Sequence, residues 1–138
     1  MAVVTIIGSG MMGSALAFPA RENGNEVRLV GTHLDREIID ACIKTNRHPK
    51  FKRDFPEGVE FYQIEDVEKA IDGADMIIGG VSSFGVDWFG ETILPKIPES
   101  IPVPFIFIQH RPVPFSNDRS NSGFIISYIR RDVKRRGI

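Results

Sequence analysis

Three glycines, Gly8, Gly10 and Gly13, follow directly on the apolar run 2–7 (AVVTII) and precede the segment SALAFPAREN. Each position answers a chemical requirement. Gly8 permits a tight turn off a strand, Gly10 lets the backbone approach a pyrophosphate with no Cβ in the way, and Gly13 lets a helix pack closely on a sheet. The N-terminus of that helix offers unpaired N–H groups and a partial positive charge to an anion. The spacing alone is a weak signal, because glycine is common in turns. A buried strand before it, a helix after it and a second strand near residue 27 complete the pattern. The loop Gly8-Ser9-Gly10-Met11-Met12-Gly13 is therefore read as a dinucleotide phosphate site.

Two further turns belong with it. The run EVRLV at 26–30 closes a strand–helix–strand unit of about thirty residues and leads into Gly31-Thr32-His33. An acid at the end of such a strand commonly binds the ribose hydroxyls, but here none occurs before Asp35. Thr32 and His33 can hydrogen-bond a ribose or a 2′-phosphate, with Arg36 near enough to assist the latter, so NAD and NADP both remain open. Val81-Ser82-Ser83 follows the apolar run ADMIIGGV. In an open α/β sheet that turn faces the ligand, although a plain helix cap would use the same serines. His48 and His110 fall in loops and read as surface or packing positions rather than catalysts.

The elements that must position these turns alternate along the chain. Strands are predicted at 2–7, 26–30, 59–62, 74–81 and 105–108, and helices at about 11–23, 35–44, 64–71 and 84–94. In the first helix Ala15, Leu16, Phe18 and Ala20 are expected to be buried, Pro19 to kink the last turns, and Gly24 to cap the end. In the second, Ile38, Ile39, Cys42 and Ile43 share a face. The alternation predicts a single-domain α/β fold: a Rossmann-type, doubly wound, mainly parallel sheet. Residues 1–108 form the dinucleotide-binding part. Residues 109–138 are expected to add an irregular loop and a basic C-terminal helix to the same domain, with the helical pattern resuming at 125–136 (IISYIRRDVKRR).

Composition narrows the function classes. With 42% hydrophobic and 25% charged residues in 138, the chain is an ordinary globular protein and not a disordered one. No apolar run reaches membrane-spanning length, and the short run at the N-terminus is not a signal peptide. A lone Cys42 builds neither a disulfide framework nor a zinc site, so no metal is expected and a cytoplasmic location is. The net charge of -1 conceals a basic tail: residues 111–138 carry seven basic against two acidic side chains. With little aromatic interleaving, that tail reads as a solvated helix face and not a nucleic-acid surface.

Taken together, VTIIGSGMMGSALA, NGNEVRLVGTHLD, the HP of TNRHPKF and ADMIIGGVSS resemble the N-terminal domain of NAD(P)-dependent glycerol-3-phosphate dehydrogenases, in order and at similar spacing over residues 2–103. The similarity returns weakly at FIISYIRRDVKRRGI. The resemblance implies hydride transfer between dihydroxyacetone phosphate and glycerol 3-phosphate, supplying phospholipid synthesis. By matching positions it assigns Gly8, Ser9, Gly10, Met11, Met12 and Gly13 to the pyrophosphate, Thr32 and His33 to the adenosine ribose, and Val81 and Ser82 to the nicotinamide half.

The sequence departs from the family in three places. Thr32 stands where arginine is common. The Lys-Gly pair expected after the fifth strand is replaced by Phe107-Ile108-Gln109-His110-Arg111-Pro112, and no lysine lies between Lys96 and Lys134. The family's helical second domain, with its catalytic lysine and substrate-phosphate site, is not in these 138 residues, and the lost pattern between 103 and 123 reads as a divergent or frame-disturbed stretch. No catalytic residue is therefore assigned. The chain is expected to turn over substrate negligibly by itself, binding glycerol 3-phosphate or dihydroxyacetone phosphate only if completed by a second domain. The alternatives are a stand-alone nucleotide-binding sensor or subunit, or a neighbouring reductase acting on keto acids or a deazaflavin. Apolar surface left by a missing domain makes self-association an expectation.

Overall fold

A computed structural model of the chain describes residues 1–51, 53–81, 85–107 and 125–128. Six strands form one sheet: β1 (Val3–Ile7), β2 (Glu26–Val30), β3 (Val59–Tyr62), β4 (Met76–Gly79), β5 (Pro104–Phe107) and β6 (Ile125–Tyr128). Their order is β3-β2-β1-β4-β5-β6, parallel except where β6 runs antiparallel to β5. The β-branched core strand VVTII is buried from Val4 to Ile7, as a parallel strand covered on both faces must be.

One face of the sheet carries α1 (Met11–Glu22) and α2 (Arg36–Thr45), together with the connection 46–58. Ile6, Ala17, Phe18, Leu29, Ile39 and Phe55 form its core. Within it Phe55 stacks on Phe18 at 4.9 Å. The other face carries α3 (Val67–Ile71) and a helical run made of an α turn (Val86–Trp88), a π segment (Phe89–Ile93) and a 3-10 turn (Leu94–Lys96). Its core is aliphatic around Phe89, with Ile7, Val30, Ile77 and Ile93 fully buried.

Several expectations need correction. In α1 the buried residues are Gly13, Ser14, Ala17 and Phe18, while Ala15 is exposed. Small side chains at i and i+4 (Gly13 and Ala17) let the helix lie close on the sheet, and that decides which face turns inward. The helix runs through Pro19 to Glu22, and its end is closed as expected by Gly24, which at φ +86° donates its N–H to the Arg21 carbonyl while the Asn25 N–H donates to that of Ala20 and the Asn23 N–H and Nδ2 to that of Pro19. In α2, Ile39 and Cys42 are buried, whereas Ile43 is more than half exposed. Residues 125–128 are not the start of a helix but strand β6, paired from Pro104↔Tyr128 to Phe107↔Ile125. Two adjacent isoleucines and a tyrosine suit a strand as well as a helix, and a partner edge on β5 decides between them. The predicted loop 109–123 and the remainder of the basic helix lie outside the described residues.

Candidate functional site

The strand order reverses between β1 and β4: the chain builds outward through β2 and β3, then returns to β4 on the other side of β1. Connections leaving the carboxyl ends of β1 and β4 therefore diverge and leave a crevice. A cavity of about 340 Å³ occupies it, floored by Gly8, Gly10, Gly80 and Val81 and walled by Thr32, His33, Asp35 and Trp88.

The floor is a backbone-to-backbone contact. Gly8 has φ +112°, and a Cβ there would lie 2.6 Å from the Gly80 carbonyl oxygen. A Cβ on Gly13 would lie 1.9 Å from the Gly8 carbonyl oxygen, and one on Gly80 would lie 2.9 Å from the Gly13 Cα. Three glycines thus interlock where β1, α1 and β4 meet, and any side chain would push them apart. Gly10 differs. It sits at φ -63°, ordinary for any residue, and a Cβ would have nothing within 4 Å.

Helix α1 starts immediately beyond Gly10 with no side-chain cap and no acid in its first turn. Its first internal bond is Ser14 N–H to the Gly10 carbonyl at 2.9 Å, so the N–H groups of Met11, Met12 and Gly13 have no partner within the helix. The open space at Gly10 and the uncapped start of α1 fit a pyrophosphate.

The two peptides of Ser9 are held from three directions. Its N–H donates to Asp35 Oδ2 at 3.1 Å, and its carbonyl accepts from Ser14 Oγ at 2.9 Å. That carbonyl also lies 3.0 Å from His48 Nε2. Asp35 Oδ2 accepts the Thr32 N–H as well, at 3.0 Å, and so ties the glycine loop to the turn after β2. On the wall, the His33 and Trp88 rings meet at 5.4 Å between centroids. Arg36, near in sequence to these turns, forms an ion pair with Glu65. The Glu65 carboxyl is held below its usual range first by its own backbone N–H and then by Arg36. Cys42 is buried under α2, and burial pushes its thiol up to about 11, which keeps it protonated and unreactive at neutral pH.

Of the residues expected at the site, Gly8, Gly10, Thr32, His33 and Val81 come together around the cavity. Ser9 and Gly13 lie buried beneath it, Met11 is exposed and Met12 half-buried at the start of α1, and Ser82 is outside the described residues. Five lining residues escaped the sequence reading: Leu34, Asp35, Gly80, Gly85 and Trp88. Asp35 is the first acid after β2, and Gly79-Gly80 ends an otherwise apolar strand, a mark of close backbone approach. His48 is not on the surface: it is fully buried and hydrogen-bonded to the glycine loop.

A parallel sheet ordered 3-2-1-4-5, with a glycine loop at its switch point, defines a Rossmann-type dinucleotide-binding domain. Residues 3–105 match the family described as NAD-dependent glycerol-3-phosphate dehydrogenase N-terminus, and the chain belongs to that family. Its nucleotide is accordingly NAD or NADP. The chain is 32% identical over 136 residues to the NADP(+)-dependent glycerol-3-phosphate dehydrogenase of Archaeoglobus fulgidus, covering 99% of this chain and 39% of that protein. It is 33% identical over 84 residues to a glycerol-3-phosphate dehydrogenase [NAD(P)+] of Chlamydia trachomatis, covering 60% of this chain and 24% of that one. Among solved structures, glycerol-3-phosphate dehydrogenase from Coxiella burnetii superposes with TM-score 0.69 at 22% identity, over 77% of this chain and 32% of the other. The enzyme from Saccharomyces cerevisiae superposes with TM-score 0.62 at 14% identity, over 75% and 33%. At such identities the superpositions speak for the fold alone.

Proposed function

We propose that these 138 residues are the cofactor-binding part of a glycerol-3-phosphate dehydrogenase, holding NAD or NADP for interconversion of dihydroxyacetone phosphate and glycerol 3-phosphate. The observation that carries the reading is the pairing of Gly10, open toward the cleft, with an α1 N-terminus that has neither cap nor acid. The N–H of Gly10 and those of the first turn of α1 would bind the pyrophosphate, with the helix dipole adding to the attraction. Thr32 and His33 would meet the adenosine ribose, the His33 and Trp88 rings would wall that side, and Val81 with Ser82 would meet the nicotinamide half.

When bound, the nicotinamide supplies the hydride acceptor or donor. The residues of the cleft would bind and orient it, and the interlocked glycines keep side chains off the floor. Among the described residues, those lining the cleft include no lysine or arginine for a substrate phosphate. Carbonyl reduction further needs a positioned proton donor within hydrogen-bond reach, and the family's second domain is the source the resemblance gives for both. Turnover by these residues alone is therefore expected to be negligible.

Titration calorimetry of the purified chain with NADH and, separately, NADPH tests the reading. Saturable binding of either supports it, and the preferred nucleotide reports what Thr32 and His33 read. A folded sample that binds neither overturns it. Robust NAD(P)H oxidation dependent on dihydroxyacetone phosphate would overturn the claim that turnover needs more than this chain.

A further inference from the structure

His48 lies thirty-eight residues beyond Gly10 and takes no part in the cleft lining, yet it is fully buried against the glycine loop. Its two ring nitrogens have partners of opposite kind. The Lys50 backbone N–H, which can only donate, lies 3.1 Å from Nδ1. The Ser9 carbonyl, which can only accept, lies 3.0 Å from Nε2. One tautomer satisfies both: a bare Nδ1 and a protonated Nε2.

The Ser9 carbonyl belongs to the same planar unit as the Gly10 N–H. In a trans peptide the C=O and N–H bonds point in opposite directions. Drawing the carbonyl into the protein, toward His48 Nε2 and Ser14 Oγ, therefore turns the Gly10 N–H outward. The preceding peptide is set the other way. There the Ser9 N–H is held by Asp35, and the Gly8 carbonyl faces Gly13.

We propose that His48, through its Nε2–H, is a positioning residue that orients the Ser9–Gly10 peptide and so aims the Gly10 N–H at the dinucleotide. The proposal rests on the dinucleotide reading of the cleft. The imidazole is itself held in place. The turn from His48 to Phe51 is closed by the Phe51 N–H on the His48 carbonyl at 3.1 Å, and the Phe51 ring lies 4.6 Å from the imidazole. Phe51 and Phe55 pack on Phe18 of α1, which ties this connection to the helix that the loop opens.

Two variants separate positioning from packing. His48→Gln keeps an N–H donor near the Nε2 position, while His48→Leu keeps much of the volume and donates nothing. Calorimetry with the nucleotide that the unaltered chain prefers should show His48→Leu weakened by roughly three- to tenfold, the scale of one lost hydrogen bond. His48→Gln should stay within about twofold, and both should unfold cooperatively in urea. Equal losses in the two variants, or a folded His48→Leu that binds like the unaltered chain, overturns the proposal. Should His48→Leu fail to fold, Ser14→Ala removes the other donor to the same carbonyl and should weaken binding while His48→Gln does not; full affinity in Ser14→Ala would contradict the proposal.

A ligand-free measurement keeps this inference distinct from the dinucleotide reading. Imidazole nitrogen NMR of the unaltered chain should show His48 with Nε2 protonated and Nδ1 bare, and the Gly10 amide resonance should move in His48→Leu but hold in His48→Gln. Those signals with no nucleotide binding would fail the dinucleotide reading and leave the orientation of the peptide standing. A proton on Nδ1, or an unmoved Gly10 amide in His48→Leu, would fail the orientation itself.

Discussion

On the floor of the cleft, Gly8, Gly13 and Gly80 meet at backbone distance, and the N–H and carbonyl of Ser9 are bonded to Asp35, Ser14 and His48. On the wall, His33 is exposed and Trp88 half-buried, and their rings touch each other at 5.4 Å. Gly8, Gly13 and Gly80 are specified by atoms that cannot be added, while Gly10 beside them has room for one. On the wall, His33 is an exposed side chain that can be exchanged at small cost to the fold, whereas Trp88 packs against the core cluster of its face. On the proposed reading, phosphate recognition falls beside Gly8, Gly13 and Gly80, which admit no side chain, and selection among nucleotides beside the exposed His33. Asp35 joins the two, because one of its oxygens accepts an N–H from each.

The comparison breaks most readily at Gly13. A methyl group there has no room beside the Gly8 carbonyl, so Gly13→Ala should destabilise the domain by about 1–3 kcal/mol in urea unfolding and abolish saturable dinucleotide binding. Asp35→Ala should act less strongly. It strips two backbone N–H groups of their acceptor at a half-buried site that water can reach, for a loss of roughly 1 kcal/mol and about fivefold in affinity. Asp35→Asn retains an acceptor oxygen and should fall between that variant and the unaltered chain. His33→Ala should have the smallest effect, with stability changed by less than about 0.5 kcal/mol and affinity by roughly two- to threefold. Trp88, the single tryptophan, reports that titration through its fluorescence.

Legibility in the sequence follows the same division. The loop 8–13 could be read because its requirement is steric and local: a buried strand, a positive-φ glycine and a helix start occur within twelve residues. The fold was legible because β-branched runs alternate with helical ones. Asp35 reads in the sequence only as an acid too late for its usual role, since bonds to Ser9 and Thr32 across twenty-six and three residues leave no periodic trace. Trp88 and His33 come together from opposite sides of the switch point, which spacing cannot show. Residues 125–128 carried a pattern compatible with helix and strand alike, and only the free edge of β5 distinguishes the two. In α1, the small residues Gly13 and Ala17 outrank larger neighbours for the buried face, because distance to the sheet matters there more than hydrophobicity.

Gly10 offers the most direct test, because it is the floor residue whose substitution leaves the fold alone. At φ -63° with no atom near its Cβ position, Gly10→Ala should unfold in urea at the same midpoint as the unaltered chain or slightly higher. If the Gly10 N–H faces the pyrophosphate, the added methyl enters the space that the phosphate must approach. Calorimetry with NADH and NADPH should then show affinity reduced by roughly tenfold or more, a loss of about 1.4 kcal/mol or greater. The expected outcome is that loss together with an unchanged unfolding midpoint. A folded Gly10→Ala variant that binds either nucleotide as tightly as the unaltered chain would contradict it.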